Sequence, residues 1–171
     1  MATIGDTSSY GMDLRLGNSI GHRSNLYQYP AVANDHVTSI SVYGRSGSGS
    51  STVEVAIYSV NVDRPFQRLG STYTITFTSS VVSWQTVNIA ALALVAGKKY
   101  CVAIGKPSAN FAARCGFDIS NSVSLHQNTA LESLWVERTF RGWEISMFAT
   151  VQNIIPRSPV TYPCCAQLIQ T

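Results

Sequence analysis

Charged side chains are scarce in this chain. Asp, Glu, Lys and Arg make up 12% of its 171 residues, against about 25% in an average soluble protein. The net charge is only +3, and the basic residues are scattered without a Lys- or Arg-rich run interleaved with aromatics. This pattern lacks the electrostatic footprint of a nucleic-acid-binding protein, so we expect no nucleic-acid partner.

Long apolar runs are also missing. No stretch approaches the roughly 18 apolar residues that a membrane-spanning helix needs, so we expect no membrane span. The N-terminal residues show no basic segment followed by an apolar one, and the pattern therefore predicts no cleaved secretory signal.

The four cysteines do not have the spacing of a metal site. Cys164 and Cys165 are adjacent, and no C-x-x-C pair occurs, so the usual spacing of zinc ligands is absent. Without a secretory signal, disulfides are not the expected state. Cys101 lies within an apolar strand pattern, which predicts a buried and inert thiol.

Catalytic motifs are absent as well. The three histidines are far apart and form no H-E-x-x-H motif, and there is no G-x-S-x-G nucleophile elbow or calcium loop. Two of the nine carboxylates could in principle form the catalytic pair of a glycosidase. The sequence does not show that any two of them lie close together, and we interpret them as solvated charges. We therefore predict a protein that is not an enzyme and that uses no metal or cofactor.

The chain does contain a series of runs in which apolar and polar residues alternate. They are HVTSISVYG, STVEVAIYSV, STYTITFT, SWQTVNI and KYCVAIG, separated by Gly, Ser, Pro or Asn. Alternation with period two is typical of strands that have one buried face. The pattern predicts an all-β protein: a single antiparallel jelly-roll-like β-sandwich of about eight to ten strands over residues 1–152. The side chains expected to be buried are Val53, Val55, Ile57, Tyr73, Ile75, Phe77, Val87, Ile89, Tyr100, Val102 and Ile104.

Tyr43 and Tyr58 are the candidate binding residues of the sandwich. The strands that carry them are expected to pair across the Gly/Ser-rich loop at residues 44–51, with both rings on or beside the outer face. Such a pair would either stack on sugar rings or simply stabilise the sheet as a cross-strand aromatic pair. Trp84 is out of phase with Val87 and Ile89, which predicts that it packs at the sheet edge or under a loop.

Residues 153–171 differ in character from the rest of the chain. Pro156, Pro159 and Pro163 each remove a backbone donor, so this segment is predicted to be an extended arm and not a central strand. The arm either docks in a groove of a neighbouring copy, most plausibly in a trimer or another cyclic oligomer, or covers the edge of its own sandwich. Its apolar anchors are Ile154, Ile155, Val160, Tyr162, Leu168 and Ile169.

Several of these segments together resemble a known group of modules. In chain order they are VTSISVYG, VEVAIYSV, a Pro-containing loop with RLGS, SWQTVNI and LVAGKKYCVAIG. This series of segments resembles the β-sandwich modules of phage tail-fibre, capsid-decoration and other virion-surface proteins. Similar modules occur in bacterial extracellular proteins. The likeness covers residues 4–152, except for an irregular insert at residues 120–141, and the arm also departs from it.

The resemblance implies a non-enzymatic binding or assembly module, and it transfers no site residues. The leading hypothesis is a phage virion structural protein that is assembled in the host cytoplasm together with other virion proteins. The alternative is a carbohydrate-binding or receptor-binding module that recognises a cell-surface glycan from an extracellular position.

Overall fold

The protein is built of β-strands throughout the part that the structure describes. This computed structural model describes residues 2–15, 23–25, 34–62, 64–105, 108, 110–117, 123–125, 139–141 and 143–154. The strands are β1 (Ala2–Asp6), β2 (Met12–Arg15), β3 (Arg23–Asn25), β4 (Asp35–Ser46), β5 (Ser51–Asn61), β6 (Arg64–Phe77), β7 (Ser83–Ala93), β8 (Tyr100–Gly105), β9 (Phe111–Phe117), β10 (Val123–Leu125), β11 (Thr139–Arg141), β12 (Trp143–Ile145) and β13 (Met147–Asn153).

The strands form two antiparallel sheets packed as a sandwich. The first sheet runs β1-β13-β4-β9-β12, with β7 paired to β4 and β2 paired to β9. The second runs β11-β10-β3-β8-β5-β6. From β6 to β10 the chain changes sheet at every step, which is the jelly-roll-like path. The predicted all-β antiparallel sandwich is confirmed, but the described residues form thirteen strands and not the expected eight to ten, because several strands have only three or four residues.

The core lies between the two sheets and is made by the inward residues of each strand. Strand β5 contributes Val53, Val55 and Ile57, while β4 contributes Ile40 and Val42. Eight of the predicted core residues are buried: Val53, Val55, Ile57, Ile75, Phe77, Tyr100, Val102 and Ile104. The other three, Tyr73, Val87 and Ile89, are partly buried and pack against this core. Alternation therefore identified the inner face of each strand.

The predicted pairing of β4 with β5 is wrong. Strand β4 pairs with β7, β13 and β9, whereas β5 pairs with β6 and β8 in the other sheet. The Gly/Ser loop between them turns the chain from one sheet to the other. Its corner is held by a buried hydrogen bond of 2.6 Å from the Ser51 hydroxyl to the Ser46 hydroxyl, and by a bond of 2.6 Å from the Gly47 amide to the Asn110 carbonyl.

Strand β6 is longer than the sequence suggests. The segment that the resemblance describes as a Pro-containing loop with RLGS belongs to this strand, because β6 begins at Arg64 and pairs Pro65 with Val60 of β5. Among the described strands β6 pairs with β5 alone, so one of its edges is open, and an edge strand tolerates a proline. Two short strands, β10 and β11, lie in the segment expected to be irregular.

The last strand extends slightly beyond the predicted domain limit at residue 152. Asn153 pairs with Asp35, and its side-chain amide donates to the Asp35 carboxylate at 3.2 Å. The Ile154 amide then donates to the Asn34 carbonyl at 2.9 Å. Strand β13 therefore includes Asn153, the first residue of the predicted arm, and residues 155–171 lie outside the described part of the chain.

Candidate binding face

Three aromatic side chains meet on the outer face of the first sheet. Ile40 and Val42 point into the core, so the alternate residues of β4, including Tyr43, point outward. Tyr43 lies directly opposite Trp84 of β7, with ring centroids 5.1 Å apart and planes inclined by 30°. Phe148 of β13 also contacts Trp84, with ring centroids 5.0 Å apart and planes inclined by 60°. All three rings are partly exposed, and together they form the aromatic cluster of this face.

Side chains with hydroxyl and amide groups lie along one side of the aromatic cluster. The Ser41 and Thr86 hydroxyls are hydrogen-bonded across β4 and β7 at 2.8 Å. One step further along the same strands Ser39 lies between Asn88 of β7 and Thr150 of β13.

An ionic cluster lies on the other side, where β2, β4 and β9 meet. The Asp13 carboxylate accepts hydrogen bonds from the Arg45 guanidinium, at 2.5 Å from Nη2 and 3.2 Å from Nε. Arg114 Nε lies 3.3 Å from Asp13 Oδ1 in an ion pair without good hydrogen-bond alignment. The hydrogen bond to Asp13, together with its negative charge, raises the pKa of Arg45 above its ordinary value. Two arginines share one aspartate, so the cluster carries a net positive charge.

Ser146 connects the strands beneath this face. Its carbonyl accepts the Tyr43 amide at 2.9 Å, and its own amide donates to the Arg114 carbonyl at 2.9 Å. The buried Ser146 hydroxyl accepts the Tyr10 amide at 3.2 Å. At this point the chain stops pairing with β9 and begins pairing with β4. The positions of the aromatic and ionic clusters are thereby fixed relative to each other.

Tyr43 and Tyr58, the two tyrosines predicted to act together, are not brought together. Tyr43 lies on the first sheet, within the aromatic cluster, whereas Tyr58 lies on β5 of the second sheet with 0% exposure. Tyr58 packs in a second buried cluster with Ala56, Cys101 and Ala103, on the opposite side of that sheet from the main core. The Tyr58 side chain points away from the main core, as alternation predicts. It is nevertheless buried, so its ring is not accessible to a ligand.

Sequence reasoning missed Trp84 and Phe148 as partners of Tyr43. The break in phase at Trp84 was the signal that this ring leaves the core. The outward position of Phe148 was predictable from alternation, because its neighbours Met147 and Ala149 are both buried in the core. The pairing of β4 with β7 and β13 could not be predicted from the sequence, because it joins residues that are far apart along the chain.

Of the six predicted arm anchors, only Ile154 lies among the described residues. Its side chain is 40% exposed at the end of β13. The other five, Ile155, Val160, Tyr162, Leu168 and Ile169, lie outside the described residues, so their role as anchors stays a prediction.

Within the described part of the chain, no three His, Cys, Asp or Glu side chains are placed to share a metal ion, and no helix has the length and apolarity needed to cross a bilayer. Cys101 is a buried thiol, as predicted, and Cys115 is also buried. Burial raises the pKa of Cys101 far above its ordinary value.

Comparisons with protein-family models, with curated proteins and with solved structures found no match for this chain.

Proposed function

We propose that this chain is a non-enzymatic structural protein of a phage virion, either a capsid decoration or cement protein or a tail-associated module. The proposal is supported most by the outer face of the first sheet, where Tyr43, Trp84 and Phe148 lie partly exposed beside Arg45 and Arg114. Tyr, Trp, Phe and Arg are the residues enriched in the cores and hot spots of protein–protein interfaces. The resemblance of residues 4–152 to virion-surface modules supports the virion setting.

The chain assembles with neighbouring virion proteins and with copies of itself, and a trimer is the favoured form. An arm that reaches from one copy to a different surface of the next makes a head-to-tail contact, which closes into a ring when the rotation allows it. The buried thiol of Cys101 fits assembly in the reducing host cytoplasm before the chain becomes part of the virion.

A substitution in the aromatic cluster tests this function. Trp84→Ala removes the ring that contacts both Tyr43 and Phe148, and we expect incorporation into particles to fall about tenfold or more, as for an interface hot spot. Phe66→Ala is the matched control, because Phe66 is a 48% exposed aromatic residue on β6 of the other sheet. Circular dichroism must show that both variants are folded. Normal incorporation of folded Trp84→Ala would exclude this face as the assembly surface.

A second function, recognition of a cell-surface glycan or receptor from an extracellular position, is favoured by one feature of the same face. Partly exposed rings lie between hydroxyl groups and guanidinium groups, and this combination suits the apolar and polar sides of a saccharide. A glycan array distinguishes the two functions: binding that is lost in Trp84→Ala and retained in Phe66→Ala supports glycan recognition. Tyr58→Ala is not a suitable variant for this assay, because it empties a buried site.

A further inference from the structure

An apolar groove opens between β6 and β7 at one side of the sandwich. It has a volume of about 200 Å³. Its apolar side chains come from both sheets and are Ile57, Leu69, Tyr73, Ile89 and Leu92. Apart from Ile57, all of them are partly exposed. The groove is thus an opening into the edge of the core and not a patch on a flat face.

A bulge in β6 produces this opening. Val55 of β5 pairs with Tyr73, and Ile57 pairs with Leu69, so three residues of β6 lie opposite the single residue Ala56. Gly70 in the bulge has φ +71°, a conformation that glycine adopts without strain. A bulge disrupts the local pairing of the strand that carries it, and here the groove opens between Leu69 and Tyr73, on the two sides of the bulge.

Two open strand edges border the groove. Among the described strands, β6 pairs with β5 alone and β7 pairs with β4 alone, and the two lie against each other at the same side of the sandwich. Long uncovered edges are sites of unwanted strand pairing, which proteins avoid by covering them. A segment with three prolines covers such an edge without extending the sheet, because proline does not donate to the ladder.

The C-terminal arm begins close to this side of the molecule. Ile154 follows β13 on one flank of β4, and Leu92 and Ala93 of β7 lie on the other flank, paired with Val37 and His36. Two strand spacings, about 10 Å, separate them. The seventeen residues after Ile154 span about 50 Å when they are extended at about 3.1 Å per residue. This reach is several times the distance to the arm's own groove, so anchors as distant as Leu168 and Ile169 are able to extend beyond the sandwich that carries them.

We propose that the β6–β7 groove is the docking site for the C-terminal arm of a neighbouring copy of this chain. The apolar side chains of the arm fill the opening between Leu69, Tyr73 and Leu92, and its proline-containing backbone lies over the two edges. This inference rests on the proposed function, in that it names the surface through which copies assemble.

The native cysteines of the arm allow a direct test by cross-linking. Ser71 is exposed and lines the groove, and Ser71→Cys places a thiol within reach of Cys164 or Cys165 of a docked arm. Mild oxidation of the full-length variant is followed by non-reducing electrophoresis and peptide mass spectrometry. We expect a covalent dimer in which residue 71 is linked to residue 164 or 165 of the other copy.

The matched control is Thr74→Cys, which lies three residues further along β6 and is exposed on the outer face, opposite Glu54. It is expected to give at least tenfold less linked dimer. Cys101 and Cys115 do not compete, because both are buried. A linkage from residue 71 to the arm within one chain overturns the proposal in favour of a groove that is covered by its own arm. The absence of linkage, or equal linkage in the control, also overturns it.

Cross-linking of Ser71→Cys and removal of the arm together distinguish a failure of the groove proposal from a failure of the proposed function. If Ser71→Cys gives no dimer but removal of the arm still abolishes incorporation into particles, the arm docks elsewhere and the virion role stands. If the dimer forms but the arm is dispensable for incorporation, the groove is correct and the proposed function fails.

Discussion

Gly5 shows how a single backbone position fixes the contact between β1 and β13. Its φ of +103° lies in a region that other residues rarely adopt, and a Cβ added there would lie 2.4 Å from the Met147 carbonyl oxygen. We predict that Gly5→Ala lowers the free energy of unfolding by about 2 kcal/mol or more, from the strained φ and the backbone collision together. Urea denaturation measures the change.

Gly11 is the matched control for Gly5, because no atom lies within 4 Å of the position of an added Cβ. Gly11→Ala is expected to change stability by less than about 1 kcal/mol. If the two variants prove equally stable, β1 does not approach β13 as described.

Cys101 makes the free energy of unfolding depend on pH at pH values above 9.0, the ordinary pKa of its thiol. Burial raises the pKa of the folded thiol, so below pH 9 both states keep the proton and Cys101 adds no pH dependence. At higher pH the unfolded state loses a proton that the folded state retains, and stability falls by up to about 1.4 kcal/mol per pH unit. We predict that Cys101→Ala has a shallower decline than the wild type from about pH 9 to about pH 11, measured by urea unfolding. Identical slopes would mean that the thiol reaches solvent in the folded state.

At the scale of elements, the aromatic cluster couples three strands of the first sheet. Tyr43, Trp84 and Phe148 come from β4, β7 and β13, and the ring contacts are 5.1 Å and 5.0 Å. A double-mutant cycle with Tyr43→Ala and Trp84→Ala is predicted to give a coupling energy of about 1 kcal/mol. The same cycle with Tyr43→Ala and Phe66→Ala, on different sheets, is expected to give less than about 0.5 kcal/mol. Additive effects in the first pair would show that the stack contributes nothing to stability.

The sequence predicts which way a strand faces better than it predicts which strand lies beside it. Alternation placed Val53, Val55 and Ile57 in the core, because the period of two is a local property. It failed for the partners of β4 because these are set by non-local contacts and by the corner at Ser46 and Ser51. The same failure placed Tyr43 beside Tyr58, and therefore hid the aromatic cluster in which Tyr43 takes part.

At the scale of the whole molecule, the two surfaces that we propose for assembly lie on different parts of the sandwich. The face with the aromatic and ionic clusters lies on the outside of the first sheet, and the groove lies at the side where β6 and β7 end the two sheets. The groove was not predictable, because it depends on a bulge opposite Ala56 and on edges that only the topology defines. A head-to-tail contact through an arm leaves the outer face free for a different partner.

Removal of the arm tests the central claim, that this sandwich is an assembly module which joins its neighbours through residues 155–171. The truncation is made after Ile154, since Asn153 and Ile154 are hydrogen-bonded to the start of β4 and belong to the sandwich. Light scattering gives the mass in solution, and particle purification gives the incorporation. We predict a monomeric, folded sandwich that is lost from particles. A truncated protein that keeps the mass of the full-length oligomer and is incorporated at the wild-type level would contradict the account.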